Sequence, residues 1–325
     1  ATISTFLVTY SLSPYFINWL EKQEMWKKKS VQTTTDGQAA TITAKLHNDE
    51  NKRVPRLGGV MIWFSVFVVA SIFWLLSESV PLINKIDFVS RNQTWLIIFG
   101  MVVTGILGAL DDISSCGRQV LLIGNRGLSF PWRILVMFLL STFIAYWFYT
   151  KLNFTEVFVP FWGFLDIGAL VIVLIILVTV VMSTVSVIDG IDGLSGGLFA
   201  IAFASFGIIA IAQDQINIAA FCFAIVGACT AFLWYNIMPA QYYNSETGVL
   251  ALSTSLTLIA ILTNQIFVLA IIAFPLLSGP ISSFLQIFSK RFLGKKIFIV
   301  APVHHHFQAG GMASHTVVMR YWLFA

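Results

Sequence analysis

The sequence predicts an all-α, polytopic integral membrane protein with about ten transmembrane helices. Of its 325 residues, 58% are hydrophobic and only 10% are charged, whereas about 25% of the residues in a soluble domain are charged. The mean hydropathy is +0.85. So few charges cannot cover a water-soluble particle of this size, and disordered, collagen-like or coiled-coil chains need the opposite composition. We therefore expect one membrane-embedded domain over residues 1–325, surrounded by the lipid bilayer and without a nucleic-acid partner.

The apolar runs predict nine complete spans and one incomplete span, since a helix needs roughly 20 residues to cross the hydrocarbon core. The last run, 317–325, covers less than half of the core at about 1.5 Å per residue, so we expect a tenth helix that is cut short. Pro275 and Pro280 predict a kink or break in the ninth span, because proline removes a backbone donor. The predicted spans are 2–20, 58–76, 94–110, 132–149, 167–187, 198–212, 217–238, 249–263, 266–288 and 317–325.

The basic residues of the loops predict that the N-terminus faces outside. If the first helix enters from outside, all Lys and Arg residues except Lys85, Arg91 and Lys151 fall in inside loops, as the positive-inside rule requires. The acidic and histidine motifs then lie at the cytoplasmic ends of the helices, so we expect the active site on the cytoplasmic face. On the outside, alternating Phe and Val in 151–160 suggest a short hairpin.

Two adjacent acids, Asp111 and Asp112, follow the apolar run that ends in GILGAL. A single acid there is often only a solvated helix end. Two acids at a helix C-terminus are unfavourable, because that end of the helix dipole is already negative. A divalent cation or a proton held by the two carboxylates would compensate for this cost.

The segment 187–197, VIDGIDGLSGG, contains two Asp-Gly pairs. Asp189 and Asp192 are turn or cap residues in the simpler interpretation. Their i, i+3 spacing also places two carboxylates on one side of a turn, and the glycines let its backbone approach a ligand closely, as a nucleotide site requires.

The segment 236–248, NIMPAQYYNSETG, joins the seventh and eighth predicted spans. Tyr242 and Tyr243 either belong to the interfacial aromatic belt or stack on a base. Glu246 begins the next helix beside Ser245, where a capping role is the simpler alternative to ligand binding.

Three consecutive histidines, His304, His305 and His306, follow the basic run KRFLGKK. Adjacent imidazoles point in different directions, so contact with a phosphate or pyrophosphate is favoured over ligation of zinc. The basic segment 51–61, NKRVPRLGGVM, either sets topology or attracts an anion.

Over about residues 46–321, the sequence resembles the polyprenyl-phosphate N-acetylhexosamine-1-phosphate transferases. The motifs that carry this resemblance are, in chain order, PRLGG, LDD, IDGIDGL, N-x-x-P-A…TG-x-LAL and KKIFIVAPVHHHF. The His triplet is similar to that of the branch that uses muramoyl-pentapeptide. This resemblance implies transfer of phospho-MurNAc-pentapeptide from UDP-MurNAc-pentapeptide to undecaprenyl phosphate, giving lipid I and UMP, with Mg²⁺ as cofactor. It also implies a homodimer in the cytoplasmic (inner) membrane of a bacterium.

The resemblance further implies roles for individual residues. Glu246 is expected to bind Mg²⁺, with Asp111 and Asp112 near the metal and the acceptor phosphate and one of the two acting as a base. Lys52 is a weaker candidate for phosphate binding. The uridine pocket is assigned to Asp189, Asp192, Asn236 and Tyr243, and the pyrophosphate or sugar region to His304, His305 and His306.

Several positions depart from the family pattern. Glu246 stands where the family usually has Asp in a Gly-Asp pair, and Ser186 stands where an Asn usually precedes the first Asp of IDGIDGL. Val54 and Arg56 replace threonines of the muramoyl branch, so that PRLGG is more like the GlcNAc-phosphate relatives. The acidic pair also lacks the nearby lysine of the family.

Three other functions remain open. A UDP-GlcNAc:polyprenyl-phosphate GlcNAc-1-phosphate transferase shares the same chemistry, but the His triplet argues against it. A transporter usually has carboxylates near the bilayer midplane, whereas the acids here lie at helix ends. An inactive homologue would bind nucleotide without forming the Mg²⁺-dependent product.

Overall fold

The structure, a computed structural model, describes residues 1–26, 53–77, 79, 92–120 and 127–325. It is mainly helical, as the sequence predicts, with 74% of its residues in helices and one small β-hairpin. The elements, in chain order, are α1 (Thr2–Lys22), α2 (Gly59–Ser77), α3 (Asn92–Ser115), α4 (Phe130–Lys151), β1 (Glu156–Val159), β2 (Gly163–Asp166), α5 (Leu170–Ser183), a 3₁₀ helix (Thr184–Ile188), α6 (Leu194–Ala212), α7 (Ile216–Asn236), α8 (Ser245–Leu262), α9 (Ile266–Ile272), α10 (Phe274–Leu293), α11 (Val303–Ala309) and α12 (Ser314–Phe324).

Within the described part of the chain, seven helical spans are long and apolar enough to cross a membrane. They are α2 to α8, with the 3₁₀ helix extending α5, and the bent pair of α9 and α10 adds an eighth if it forms one span. This supports a polytopic membrane protein. The predicted count of ten and the predicted orientation stay predictions.

The predicted break in the ninth span lies between α9 and α10, whose axes differ by 78°. Pro275 occupies the first turn of α10, where backbone N–H groups have no partner within the helix, so its missing N–H costs no hydrogen bond. Pro280 lies within α10. The break therefore precedes both prolines.

The predicted hairpin is present, but it extends beyond the predicted segment. Strands β1 and β2 are antiparallel, with Glu156 opposite Asp166 and Val159 opposite Gly163. The side chain of Asn264 fixes the free edge of β1: its Oδ1 accepts a hydrogen bond from Phe158 N at 2.9 Å, and its Nδ2 donates one to Glu156 O at 3.1 Å. The hairpin is thus held against the α8–α9 turn.

Helix α8 forms the centre of the bundle, because all of its residues except Glu246 and Leu262 are buried. It packs against α3 most extensively and also contacts α2, α5 and α6. Glycines permit these close approaches: a Cβ at Gly59 would collide with the backbone of Gly248, and one at Gly108 would lie 2.6 Å from the Cα of Thr247. Small residues at such contacts let helix backbones approach one another in membrane proteins.

Candidate active site

Six charged side chains from five parts of the chain meet at one end of the bundle. The ends of α3 and the 3₁₀ helix meet the starts of α2, α4 and α8 here. Arg56 interacts electrostatically with Asp112, Glu246 and Asp189, and Glu246 interacts with Arg133 and Asp111. The structure therefore brings together acids that are up to 135 residues apart in the sequence. The six residues are Arg56, Asp111, Asp112, Arg133, Asp189 and Glu246.

Asp112 links the end of α3 to the first turn of α8. Its side chain is fully buried; Oδ2 accepts a hydrogen bond from Thr247 N at 3.0 Å, and Oδ1 lies 3.2 Å from Nε of Arg56. Arg56 also donates to Oγ of Ser245 at 3.3 Å. An acid buried without an opposite charge would be strongly unfavourable, so Arg56 is the group that makes this burial possible.

Asp111 faces a different neighbour from Asp112. Its Oδ1 accepts a hydrogen bond from the backbone N of Leu128, in the segment that leads into α4. Consecutive helical residues are rotated by about 100°, so the two carboxylates turn towards different elements, Asp111 to α4 and Asp112 to α8.

Glu246 lies in the first turn of α8 and forms an ion pair with Arg133 of α4. The distance between its Oε1 and Nη1 of Arg133 is 2.5 Å, and both side chains are less than one-fifth exposed. Its other oxygen, Oε2, is buried without a hydrogen-bond partner among the described residues. A buried carboxylate oxygen without a donor is a position at which a cation or a proton is stabilised.

Asp189 positions the start of α8. Its Oδ2 accepts a hydrogen bond from Ser245 N at 2.6 Å, and its Oδ1 accepts one from Oγ of Ser195 at 2.5 Å. Burial raises the pKa of Asp189, and these two hydrogen bonds oppose that rise. Ser245 has a φ of +58°, a left-handed conformation that glycine adopts without strain. Ser245, which replaces the glycine of the family pattern, is therefore held in a strained conformation next to Glu246.

Asp192 and Asn236 hold two loops together. Oδ2 of Asp192 accepts a hydrogen bond from Ala240 N at 2.9 Å. Asn236 is buried; its Oδ1 accepts a hydrogen bond from Gly193 N at 3.0 Å, and its Nδ2 donates one to Tyr242 O at 2.8 Å. Both ends of the Asn236 amide are thus bonded to backbone, so this residue shapes the site by fixing the loops.

The two tyrosines of the α7–α8 connection have different environments. Tyr242 is fully buried, its hydroxyl lies 2.9 Å from Oγ of Ser13, and burial raises its pKa. It cannot stack on a ligand in this position. Tyr243 is half-buried, and its backbone pairs with residues 55–58 through Pro55 O and Gly58 N. Tyr243 is therefore the less buried of the two tyrosines.

The His triplet lies beside the loop that carries Asp189. A Cβ at Gly190 would lie 2.8 Å from Nε2 of His304 and 2.9 Å from Nε2 of His305, so only glycine fits between this loop and α11. His304 is fully buried, and no described residue is a hydrogen-bond partner of its ring nitrogens. Burial, together with the neighbouring His305, holds its pKa well below the ordinary value. His304 is therefore uncharged at neutral pH.

His305 and His306 have defined partners. Nδ1 of His305 lies 2.6 Å from Oε1 of Gln308, whose Nε2 donates to Oγ of Ser314 at 2.7 Å. Nδ1 of His306 accepts a hydrogen bond from Ile299 N at 3.2 Å. The three rings therefore have three different environments.

The described residues contain no group of three or more His, Cys, Asp or Glu side chains arranged to hold a metal ion. Two of the three predicted Mg²⁺ ligands, Asp112 and Glu246, form ion pairs with arginines. The oxygen donors themselves suit Mg²⁺, and Oε2 of Glu246 is a buried oxygen without a donor.

A family model described as glycosyl transferase family 4 matches residues 94–264. The chain belongs to this family. Several relatives are named phospho-N-acetylmuramoyl-pentapeptide-transferase. That of Listeria monocytogenes serovar 1/2a (strain ATCC BAA-679 / EGD-e) is 32% identical over 98% of this chain and 93% of the relative, and that of Geobacillus thermodenitrificans (strain NG80-2) is 29% identical over 98% and 91%. The resemblance inferred from the motifs is confirmed.

The sequence did not identify two arginines, Arg56 and Arg133, as ion-pair partners of the acids in this site. Arg56 and Arg133 are indistinguishable in the sequence from the basic residues that set topology. The one indication in the sequence was that Arg56, in PRLGG, departs from the pattern of the muramoyl branch. Lys52 lies outside the described residues, and its predicted contact with phosphate stays a prediction.

Proposed function

We propose that this member of glycosyl transferase family 4 transfers phospho-MurNAc-pentapeptide from UDP-MurNAc-pentapeptide to undecaprenyl phosphate. Relatives named for this activity align with 98% of the chain at 32% and 29% identity, and this similarity carries the proposal. In the reaction, an oxygen of the lipid phosphate attacks the sugar-bearing phosphorus of the nucleotide. The bond from that phosphorus to the UMP oxygen breaks, which yields UMP and lipid I.

The clustered charges suit this chemistry, because phosphoryl transfer needs positioning and charge neutralisation more than covalent catalysis. We assign the guanidinium groups of Arg56 and Arg133 to the stabilisation of negative charge near the reacting phosphates. Asp111 or Asp112 serves as the base that takes a proton from the acceptor.

Mg²⁺ is the cofactor that we propose for this site, with Glu246, Asp111 and Asp112 as the residues that hold it. Bound Mg²⁺ would neutralise charge on the pyrophosphate. The support is the oxygen-only donor set and the unpartnered Oε2 of Glu246.

The loop residues Asp189, Asp192 and Asn236 shape the uridine pocket, and Tyr243 stacks on the base. Their side chains accept hydrogen bonds from the backbone N–H groups of Ser245, Ala240 and Gly193, which supports a rigid pocket. We place the His triplet at the pyrophosphate or sugar, since Gly190 lies directly against His304 and His305.

For the whole protein we propose ten transmembrane helices with the N-terminus outside. The site then opens on the cytoplasmic face of a bacterial inner membrane, where an aqueous nucleotide and a lipid phosphate meet. The distribution of Lys and Arg supports this orientation. A homodimer is part of the proposal through the family resemblance alone.

The test is UMP release by the detergent-purified protein with undecaprenyl phosphate and Mg²⁺, from UDP-MurNAc-pentapeptide and, in parallel, from UDP-GlcNAc. We expect release from the muramoyl substrate only. Release from UDP-GlcNAc alone would assign the protein to the GlcNAc-phosphate branch, with which PRLGG agrees. No release from either substrate, with intact nucleotide binding, would identify an inactive homologue.

Glu246→Asp is expected to keep or raise the rate of UMP release, whereas Glu246→Gln is expected to lower it by about 100-fold or more. Aspartate preserves the carboxylate and is the usual residue of the family, while glutamine removes the charge that pairs with Arg133. Initial rates of UMP release at saturating Mg²⁺ measure both effects. If Glu246→Asp inactivates the enzyme, the site depends on the longer side chain.

Gln308→Met removes the hydrogen bonds of Gln308 to His305 and to Ser314. We expect kcat to fall by about tenfold, the effect of losing about 1.4 kcal/mol from the bond that orients His305. Methionine has a similar size but provides no strong acceptor for Nδ1 of His305. Gln308→Glu retains the acceptor and is expected to restore the rate. Equal rates for the methionine variant and the wild type would show that His305 does not need this hydrogen bond.

A further inference from the structure

Arg56 lies among three carboxylates that come from three different elements. Its Nε is 3.2 Å from Oδ1 of Asp112, and it interacts electrostatically with Glu246 and Asp189 as well. Its backbone N also donates a hydrogen bond to Met25 O at 2.7 Å. The segment that carries this guanidinium is thereby tied to the end of α1.

The Arg56 side chain is only 23% exposed, and that of Asp112 is not exposed at all. Electrostatic interactions in such a place are screened much less than at a surface. A guanidinium also keeps its charge at every pH at which proteins are folded. Arg56 is therefore a permanent positive charge next to acids to which a divalent cation would bind.

A second cation at these acids would be repelled by Arg56 and would compete with it for Asp112. A charge within about 4–6 Å changes the binding of another ion at the same group by roughly tenfold or more, as it does for protons.

We propose that Arg56 is a positioning residue that acts as an internal counter-ion: it holds Asp112 towards α8 and weakens the binding of divalent cations to the carboxylate cluster. The assignment of Asp112 and Glu246 as the cation ligands rests on the proposed function. The counter-ion effect itself rests on the Arg56–Asp112 ion pair and its burial.

The experiment measures Mn²⁺ affinity by electron paramagnetic resonance on the protein in detergent, without substrates. We expect Arg56→Thr to lower the Kd for Mn²⁺ by about tenfold. Arg56→Lys retains the charge and is expected to stay within about threefold of the wild type. Arg118→Thr is the matched control, because Arg118 follows α3 at the same end of the bundle but is exposed and bonded to Gln23.

A double variant separates the counter-ion effect from a general loosening of the fold. Adding Asp112→Asn to Arg56→Thr is expected to abolish the gain in Mn²⁺ affinity, because the double variant lacks the Asp112 carboxylate that the loss of Arg56 would free for the cation. If Arg56→Thr does not fold, Arg56→Gln serves in its place, since glutamine removes the charge and keeps an N–H donor.

Two results would overturn the inference: a Kd for the uncharged variants that is no lower than that of Arg118→Thr, or a lysine variant that binds Mn²⁺ as tightly as the threonine variant. The proposed function fails separately, through absence of UMP release, because Mn²⁺ binding is measured without turnover. A gain in affinity without any UMP release would leave the counter-ion effect standing and remove the transferase assignment.

Discussion

Asp112→Asn is expected to lower UMP release by about 10²–10⁴-fold while the protein stays folded. Asparagine still accepts the hydrogen bond from Thr247 N, so the contact between α3 and α8 is retained. The variant loses the negative charge that faces Arg56 and that we assign to the cation and the acceptor phosphate. Initial rates of UMP release, together with the elution profile in size-exclusion chromatography, measure activity and folding.

Asp166→Asn is the matched control, since Asp166 is an exposed acid of β2 and takes no part in the proposed site. It should retain the wild-type rate. Asp111→Asn is expected to inactivate the enzyme as well, although Asp111 bonds to the segment before α4 rather than to α8. Normal rates in both the Asp111 and the Asp112 variant would show that neither acid takes part in the chemistry.

Gly59→Ala is expected to lower the free energy of unfolding by about 3 kcal/mol, the upper part of the range for overpacked cores. The added Cβ would collide with the backbone of Gly248 and lie 2.6 Å from Asn244 O. These are backbone atoms next to a buried helix, so they cannot move aside as a flexible side chain would. Unfolding in mixed detergent–SDS micelles, followed by circular dichroism, measures the loss.

Gly310→Ala is the control for this stability measurement. A Cβ there would be in contact only with backbone oxygens of α11, the nearest at 3.4 Å, so we expect no measurable change. Unchanged stability in Gly59→Ala would mean that α2 and α8 can separate without cost, and that the start of α8 is not held as we describe.

The helices themselves were predictable because apolar length is a local property of the chain. The runs near 58–76, 94–110 and 217–238 coincide with α2, α3 and α7 to within a few residues at most ends. The prolines indicated a break in the ninth span, but the break lies before both of them, and Pro275 at the start of α10 costs no helical hydrogen bond. The hairpin was located only in part, because the pairing of β2 depends on a partner strand and on Asn264.

Within the site, the sequence indicated the acids and histidines by their unusual types at helix ends, but not the partner of each. Asp111 and Asp112 suggested a shared pair, yet one bonds to Leu128 and the other to Thr247 and Arg56. Asn236 suggested a ligand contact, and the structure assigns its amide to two backbone groups.

The sequence by itself determined that the protein is helical and lies in a membrane. Composition and apolar periodicity decide these properties, because burial in lipid depends on the side chains of each segment alone. Only the tertiary structure decided that Arg56 pairs with Asp112 and Arg133 with Glu246. Ion pairs depend on distances of a few ångströms between segments far apart in the chain, and the packing of α2, α3, α4 and α8 sets those distances.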